Sequence, residues 1–480
     1  MMPVTGAAII GLLPEIIASV FMFVVLLGGV FAGERNSGIV GGLAVLGTLA
    51  TFASAAVLLA IGFEGTFFGE SYAVDNFALF FKLIVSGTAF FTVIAATRFA
   101  GSTGDAPEYM TLILAVVLGA MLLASMRDLF GLFLALELAT IPSYALVAFD
   151  RSRRESAEGG MKYLVTGVIA SSVLLYGLVL IYGVAGSANL TQVAEAFSGE
   201  LTPVGLVGIG LMVSGFAFKL SAAPFHFWTP DAYQGAPTSA AAFLSVAPKA
   251  ATFAVLLRIL VEGLPGATAT WTSIIAVIAI LTMFVGNLSA LRQRNVRRML
   301  AFSSVAHSGY ILVAFAAIQG GGQETGVQAI LIYSAAYAVM NLGAFFAIDL
   351  VGEDAKSFNG LFKTQPALAL CMGAFMAALV GIPPFSGFFG KAWVILAGAQ
   401  SGSVLVYAAV GALVINSVIS LPYYFGIVRN MFLEEPVSGG TAPKDDGGVR
   451  FSVYALAILT TIFILFFGLL VTLTGASGLL

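Results

Sequence analysis

Two lysines stand inside apolar runs where a lipid bilayer would have to accommodate them, Lys219 in LMVSGFAFKLSAAPF and Lys249 in AAFLSVAPKAATFAV. A third, Lys391, lies in GFFGKAWVILAG, and a glutamate, Glu137, in FGLFLALELATIPSYAL. A cation at the bilayer centre costs about 2.5–3.5 kcal/mol on insertion scales, so each such residue is a functional candidate. Glu137 and Lys219 have opposite charge and are natural partners. A carboxylate that approaches a buried lysine helps it keep its proton, and one that withdraws lets the proton go. Residues of these types in series, Glu137, Lys219, Lys249 and Lys391, are what a proton path through a membrane requires. The competing reading of the first pair is a static ion pair that fixes helix packing, and that of Lys391 is a lysine satisfying freed carbonyls beside a broken helix.

The two histidines are candidate relays. His307, in SSVAHSGYIL, has an unperturbed pKa near the working range of a relay, but bonding to a neighbouring hydroxyl explains it equally well. His226, in PFHFWTPD, either lines an entrance or caps the interruption it follows. Lys82, in DNFALFFKLIVSG, reads as a snorkelling residue or as a structural partner of Asp75, and Glu15 reads as structural. Arg292, Arg294, Arg297 and Arg298 read as basic-face charges touching phospholipid.

The elements that hold these residues must be membrane helices. Of 480 residues, 59% are hydrophobic and 9% charged, and the mean hydropathy is +1.02. Soluble domains are about one quarter charged. The net charge of −3 is too small to point to nucleic acid. One cysteine, Cys371, supplies neither a disulfide nor a cysteine-ligated cluster, and no strand–glycine-rich turn–helix reads as a nucleotide loop. The sequence thus predicts no cofactor or metal on this chain and no catalytic residue.

A spanning helix needs about 20 apolar residues, and fourteen segments qualify. They fall near 6–31, 38–62, 74–98, 109–126, 129–149, 161–184, 203–222, 237–261, 269–290, 300–318, 327–350, 367–399, 404–429 and 451–475. Residues 189–197 carry the i, i+3, i+4, i+7 spacing of a short surface helix. Counting alternate loops with the helix ends beside them, fifteen of the 21 Lys and Arg fall on one side; only Arg127 and Arg258 fall on the other, and Lys82, Lys219, Lys249 and Lys391 lie inside segments. The positive-inside rule then places the basic loops in the cytoplasm and both termini in the periplasm. Glu137 would lie roughly 12 Å and Lys249 roughly 18 Å from their helix ends at 1.5 Å per residue, near the middle of a ~30 Å core. The seventh segment is interrupted at Ala223-Pro224-Phe225 and the twelfth at Gly381-Ile382-Pro383-Pro384-Phe385. They lie five segments apart, so two halves, 109–261 and 269–429, would be inverted repeats of five helices each (segments 4–8 and 9–13) within one membrane domain spanning 1–480. Matched Pro-broken helices in inverted halves mark a transport site.

The runs FKLSAAPFHFWTPDAYQGAPT, LSVAPKAATF, RRMLAFSSVAHSGYILVA, GIPPFSGFFGKAWV and LALELATIPSYALVAF closely resemble the antiporter-like membrane subunits of proton-pumping NADH–quinone oxidoreductase, respiratory complex I, themselves similar to Mrp-type cation/proton antiporters. Among them the pattern resembles the bacterial N type, with Lys391 where the M type usually has a glutamate. The resemblance implies an all-α fold of fourteen helices, with Glu137, Lys219, Lys249 and Lys391 on a central hydrophilic axis and both histidines near it. It implies that NADH, FMN, iron–sulfur clusters and quinone are bound by other subunits of the complex, and that neighbouring antiporter-like and small membrane subunits are partners. It implies a bacterial inner-membrane location. A stand-alone cation/proton antiporter and a purely structural subunit are the rival readings.

Overall fold

In the computed structural model, which describes residues 6–32, 37–436 and 445–475, nearly all of the chain is helix. Helices α1 (Gly6–Gly11) and α2 (Leu13–Ala32) are followed by α3 (Ser37–Ala60), α4 (Asn76–Thr103), α5 (Ala106–Ser125), α6 (Leu129–Val147) and α7 (Arg154–Ala185). Then come α8 (Leu190–Ala196), α9 (Pro203–Lys219), α10 (Trp228–Gly235) and α11 (Thr238–Arg258), the last running into a π-helical turn, Ile259–Gly263. The second part contains α12 (Thr268–Ala290), α13 (Val296–Ala316), α14 (Gln323–Val351), α15 (Leu361–Thr364), α16 (Pro366–Val380), α17 (Ser386–Gln400), α18 (Val404–Leu433) and α19 (Gly447–Gly475). Among the described residues, twelve helices are long and apolar enough to cross a membrane unaided. The remaining two of the fourteen expected segments are the broken ones, α9–α10 and α16–α17. Arg35, Lys444, the middle of the polar connection near 430–450 and the outermost residues of both termini lie outside the described residues.

Helix starts follow local chemistry. Asp75, Asp128, Asn189, Thr202 and Asn295 each accept a backbone N–H of the first turn that follows them, satisfying donors that the helix cannot. Helix α8 is the short helix expected at 189–197, and Leu190, Val193 and Phe197 are buried beneath it. Two short strands, β1 (Gly65–Phe67) and β2 (Tyr72–Val74), form an antiparallel hairpin in the connection between α3 and α4. Apolar periodicity did not reveal them, because three-residue strands are too short to show it.

Burial is graded from centre to edge. In α11 and α13, 94% of the most apolar stretch is buried by the chain itself, and in α14 89%. In α2 and α19 the figure is 22%. The centre is tight because small residues let backbones meet. A Cβ at Gly286 on α12 would lie 2.6 Å from the backbone N of Ala306 on α13, and one at Gly309 would lie 2.9 Å from the backbone N of Met283. This is the small-residue packing that membrane helices use in place of a hydrophobic driving force.

Two charge assignments read from the sequence are corrected by the fold. Lys82 does not snorkel and does not pair with Asp75. It is fully buried, with Nζ 2.8 Å from Glu15 Oε1 on α2 and 3.0 Å from Tyr72 Oη. Asp75 is occupied by Arg258, whose Nη2 donates to Oδ1 at 3.0 Å and to Oδ2 at 2.9 Å. Arg258, at the end of α11, is 1% exposed and also binds Glu262, which in turn holds Arg127 at 2.6 Å. Arg297 and Arg298 are bound by protein. Arg297 donates to the carbonyls of Gln234 and Ala236 and to Thr238 Oγ1, and pairs with Glu353 at 2.7 Å, while Arg298 pairs with Asp231. The bend between α10 and α11 leaves carbonyls unpaired there, and Arg297 fills them.

The Glu15–Lys82 pair predicts a non-additive result. Glu15→Leu alone strands a buried cation and should destabilise by about 3–5 kcal/mol, whereas adding Lys82→Met removes the stranded charge and should restore most of the loss. Thermal unfolding of the detergent-extracted protein measures both. Equal losses in the single and double variants would show that the pair does not act as a unit.

Candidate proton-transfer site

Glu137 projects from α6 toward α7 and α9. Its Oε1 accepts Ser171 Oγ at 2.6 Å, and Lys219 Nζ stands 3.8 Å from the same oxygen. Lys219 makes its closer contact, 3.0 Å, with Thr140 Oγ1. The pair therefore sits at the outer limit of an ion pair, with hydroxyls on both members. Glu137 is 21% exposed by side chain and Lys219 5%.

Lys219 is the last residue of α9, where a helix leaves carbonyls unpaired. The break that follows consumes them locally. Leu220 N donates to Phe216 O, Ala222 N to Ala217 O, and both Ser221 N and Trp228 Nε1 to Phe218 O. Ser221 takes a left-handed backbone at φ 59°, unusual for a residue with a side chain. Thr282 Oγ1 accepts Ala223 N at 3.0 Å, tying the break to α12.

Lys249 lies on α11 immediately after Pro248. A proline inside a helix releases the carbonyl four residues earlier, and Tyr233 Oη donates to that carbonyl, Leu244 O, at 3.3 Å. Lys249 Nζ faces α13, reaching Ser304 Oγ at 2.7 Å, Ser304 O at 3.2 Å and Ser308 Oγ at 3.2 Å. None of these partners is charged. One face of α13 carries Ser304, His307 and Ser308 in succession. His307 is 1% exposed, with Nδ1 3.0 Å from Tyr333 Oη and Nε2 3.3 Å from Tyr424 Oη.

Lys391 lies on α17, after the second break. Its Nζ donates back to the end of α16, to Val380 O at 2.7 Å and Leu379 O at 3.4 Å, and to Ser417 Oγ at 3.1 Å. It also stands 4.6 Å from the centre of the Tyr310 ring. The local reading of Lys391 is therefore realised: a cation caps a helix C-terminus, where the helix dipole favours it. The hydroxyl of Ser417, which accepts from the same Nζ, donates to Leu413 O at 3.0 Å.

His226 is 7% exposed, its ring lies tilted beside Phe227 with centres 4.5 Å apart, and no hydrogen bond between described residues joins it to the other candidates. Glu137 and Lys219 thus meet between α6 and α9, Lys249 on α11 reaches the face of α13 that carries His307, Lys391 lies on α17 after the second break, and His226 stands in the first. The hydroxyl partners (Thr140, Ser171, Ser304, Ser308, Tyr333, Tyr424 and Ser417) were not singled out from sequence. Only the SSVAHS spacing around His307 carried a signal.

The second break depends on a glycine. A Cβ at Gly387 would lie 1.9 Å from Ala378 O. Gly387→Ala should force α17 away from α16, costing about 1–3 kcal/mol as overpacking does, and should disturb the carbonyls that hold Lys391. A melting temperature equal to that of the parent would show that the two half-helices adjust without strain.

A polytopic bundle with two broken helices and a buried glutamate–lysine row defines an antiporter-like membrane protein. Residues 126–420 match the family described as NADH:quinone oxidoreductase/Mrp antiporter, transmembrane. The chain is 74% identical, over all 480 residues and the whole of the relative, to the NADH-quinone oxidoreductase subunit N of Rubrobacter xylanophilus. It aligns with a chain of respiratory complex I from Thermus thermophilus solved with bound aureothin at TM-score 0.82 and 31% identity, over 97% of this chain and 100% of that one. A chain of the Mrp complex from Dietzia sp. aligns at TM-score 0.83 over 97% of both chains, but at 24% identity shares the fold alone. The chain belongs to the subunit N family of NADH-quinone oxidoreductase.

Proposed function

We propose that this chain, a membrane subunit of NADH-quinone oxidoreductase, carries protons across the membrane along Glu137, Lys219, Lys249, His307 and Lys391. The observation that carries the reading is a contrast in how charges are held. Charges outside the row are clamped by close counter-ions, Lys82 by Glu15 at 2.8 Å and Arg258 by Asp75 at 2.9 Å. Within the row, Lys219 stands 3.8 Å from its carboxylate, and Lys249 and Lys391 are held by neutral hydroxyls and carbonyls. A clamped ion pair fixes its protons. A lysine among hydroxyls can exchange one with water or with the next site.

In this reading Ser171 and Thr140 let Glu137 and Lys219 separate without leaving either unsatisfied. A proton leaving Lys219 passes through water to Lys249, then by way of Ser304 and Ser308 to His307, and on to Lys391. The two halves, 109–261 and 269–429, act as inverted repeats with one broken helix each. NADH, FMN, iron–sulfur clusters and quinone are placed on other subunits. Moving one charge outward against 100 mV takes about 2.3 kcal/mol, and quinone reduction elsewhere supplies it. The membrane is the bacterial inner membrane, with basic loops in the cytoplasm and termini in the periplasm.

The test is Lys219→Leu in the assembled complex. Proton uptake into inverted vesicles should be lost or strongly reduced, while the complex still migrates as an NADH-oxidising band on a native gel. Full uptake per electron would leave only a structural role for the row.

A further inference from the structure

The two breaks are built alike. In the first, Ser221 N donates to Phe218 O at 2.9 Å, Ala222 N to Ala217 O at 2.7 Å and Phe225 N to Ala222 O at 2.8 Å. In the second, Gly381 N donates to Ala378 O at 2.9 Å, Ile382 N to Ala377 O at 3.0 Å and Phe385 N to Ile382 O at 3.1 Å. Ser221 and Gly381 take the same left-handed turn, at φ 59° and φ 94°. Helices α9 and α16 therefore end in one way, and Lys219 and Leu220 stand in step with Leu379 and Val380.

The partners of the two ends differ. Leu379 O and Val380 O both accept from Lys391 Nζ, at 3.4 and 2.7 Å. One ammonium reaches both, so these two carbonyls converge on one point. Lys219 O and Leu220 O accept no hydrogen bond from the described residues. The N–H groups nearby are spent: Leu220 N on Phe216 O, Ser221 N and Ala222 N as above, and Ala223 N on Thr282 Oγ1. Pro224 has none. The residue in step with Lys391 is Asp231, an acid that pairs with Lys162 and Arg298. Lys219 directs its own ammonium to Thr140 on α6. Lys219 is 7% exposed, and Leu220 and Ser221 are fully buried.

Ser221 supplies a third oxygen. A Cβ at Gly381 would lie 2.9 Å from Lys391 Cδ and 3.5 Å from its Nζ. Ser221, the matching residue of the first break, has that Cβ, so its side chain enters the space that the lysine takes in the second. Ser221 Oγ is buried and has no hydrogen-bond partner among the described residues. Leaving a buried acceptor unpaired is costly. Three acceptors thus meet at the negative end of a helix. A water has two hydrogens for them, whereas a cation serves all three. Unwound carbonyls and half-helix ends hold coupling ions in transporters with broken helices.

We propose that the end of α9 binds a monovalent cation, held by Lys219 O, Leu220 O and Ser221 Oγ as the Lys391 ammonium is held at the end of α16. Sodium and hydronium share the chemistry, a single positive charge taken by neutral oxygens. Glu137, 3.8 Å from the Lys219 ammonium, offsets the neighbouring charge. The site stands on the match between the two breaks, whether or not protons run along the row.

Hydrogen exchange of the assembled complex tests it. Exchange is followed in sodium, ammonium or choline chloride at one ionic strength, and peptides covering 217–229 and 377–389 are read by mass spectrometry. Choline is too large for the site. Sodium or ammonium should slow exchange in the first break several-fold and leave the second unchanged, because Lys391 already holds its carbonyls. Protection that ignores the salt but grows as pH falls, after correction for the chemical exchange rate, identifies the cation as hydronium. Exchange indifferent to both salt and pH overturns the proposal, and so does an equal salt effect in the two breaks. Ser221→Gly removes the hydroxyl and keeps the left-handed turn, which glycine takes without strain. The cation concentration giving half protection should rise several-fold, and an unchanged value overturns the site. Lys391→Ala should give the second break the cation dependence of the first. If it gains none, such a carbonyl pair does not draw a cation, and the proposal falls.

Discussion

Lys249→Leu should abolish proton translocation with little loss of assembly. The side chain is 2% exposed and its partners are Ser304 and Ser308. Those partners do not need it: Ser308 Oγ already donates to Ser304 O at 3.0 Å. Leucine leaves no carboxylate stranded, unlike the loss of one member of a buried ion pair. The penalty therefore falls on transfer, because Lys219 and His307 lose the group that stands between them. Lys249→Arg sharpens the test. Arginine keeps the charge but does not release its proton in proteins, so it too should block translocation. Proton uptake per electron in inverted vesicles distinguishes the outcomes. Full translocation in the Arg variant would mean that proton release at Lys249 is not a step.

Arg258→Leu should have the opposite profile, a large loss of stability from a residue outside the path. Arg258 binds Asp75 through two bonds, Glu262 at 2.6 Å and Ala124 O at 3.2 Å. Asp75 cannot move away, because its Oδ1 also caps α4 through Ala78 N at 2.7 Å. Glu262 keeps one partner, Arg127, and Asp75 keeps none of opposite charge among the described residues. Removing one partner of a buried pair costs about 3–5 kcal/mol, and here one cation serves two carboxylates. The melting temperature and the yield of assembled complex should both fall. Asp75→Asn, which keeps the cap and one hydrogen bond to Arg258, should be milder. Equal losses in the two variants, both of which keep the cap, would show that the Asp75–Arg258 charge pair accounts for the whole loss and that the bond to Glu262 adds nothing.

The candidate residues are legible because a charge inside an apolar run is conspicuous, and hydrocarbon leaves few reasons for it. Glu137, Lys219, Lys249 and Lys391 announced themselves in that way, and so did the two breaks, each marked by proline. The neutral groups around them did not. Thr140, Ser304 and Tyr333 are unremarkable in membrane helices, and their partners lie tens of positions away, set by how helices pack rather than by spacing. The errors have the same origin. Arg258 lies at the end of an apolar segment, and nothing local shows that Asp75, 183 residues earlier, is its partner. Lys82 was paired with its nearest acid in sequence, while its partner in space is Glu15. Arg297 sits in a basic run that reads as a surface stripe, and only the fold shows the carbonyls of Gln234 and Ala236 that it fills.

The graded burial of the helices bears on how the protein meets membranes of different thickness. Helices α11, α13 and α14 are walled in by their neighbours over about nine tenths of their apolar length, while α2 and α19 are mostly uncovered. Hydrophobic mismatch acts only on surfaces that lipid touches. A thinner or thicker bilayer therefore tilts or stretches the outer ring first, and the helices that carry Lys249 and His307 are solvated by protein whatever the acyl chain length. The outer helices serve as a private annulus, in effect a bilayer of fixed thickness that the chain brings with it.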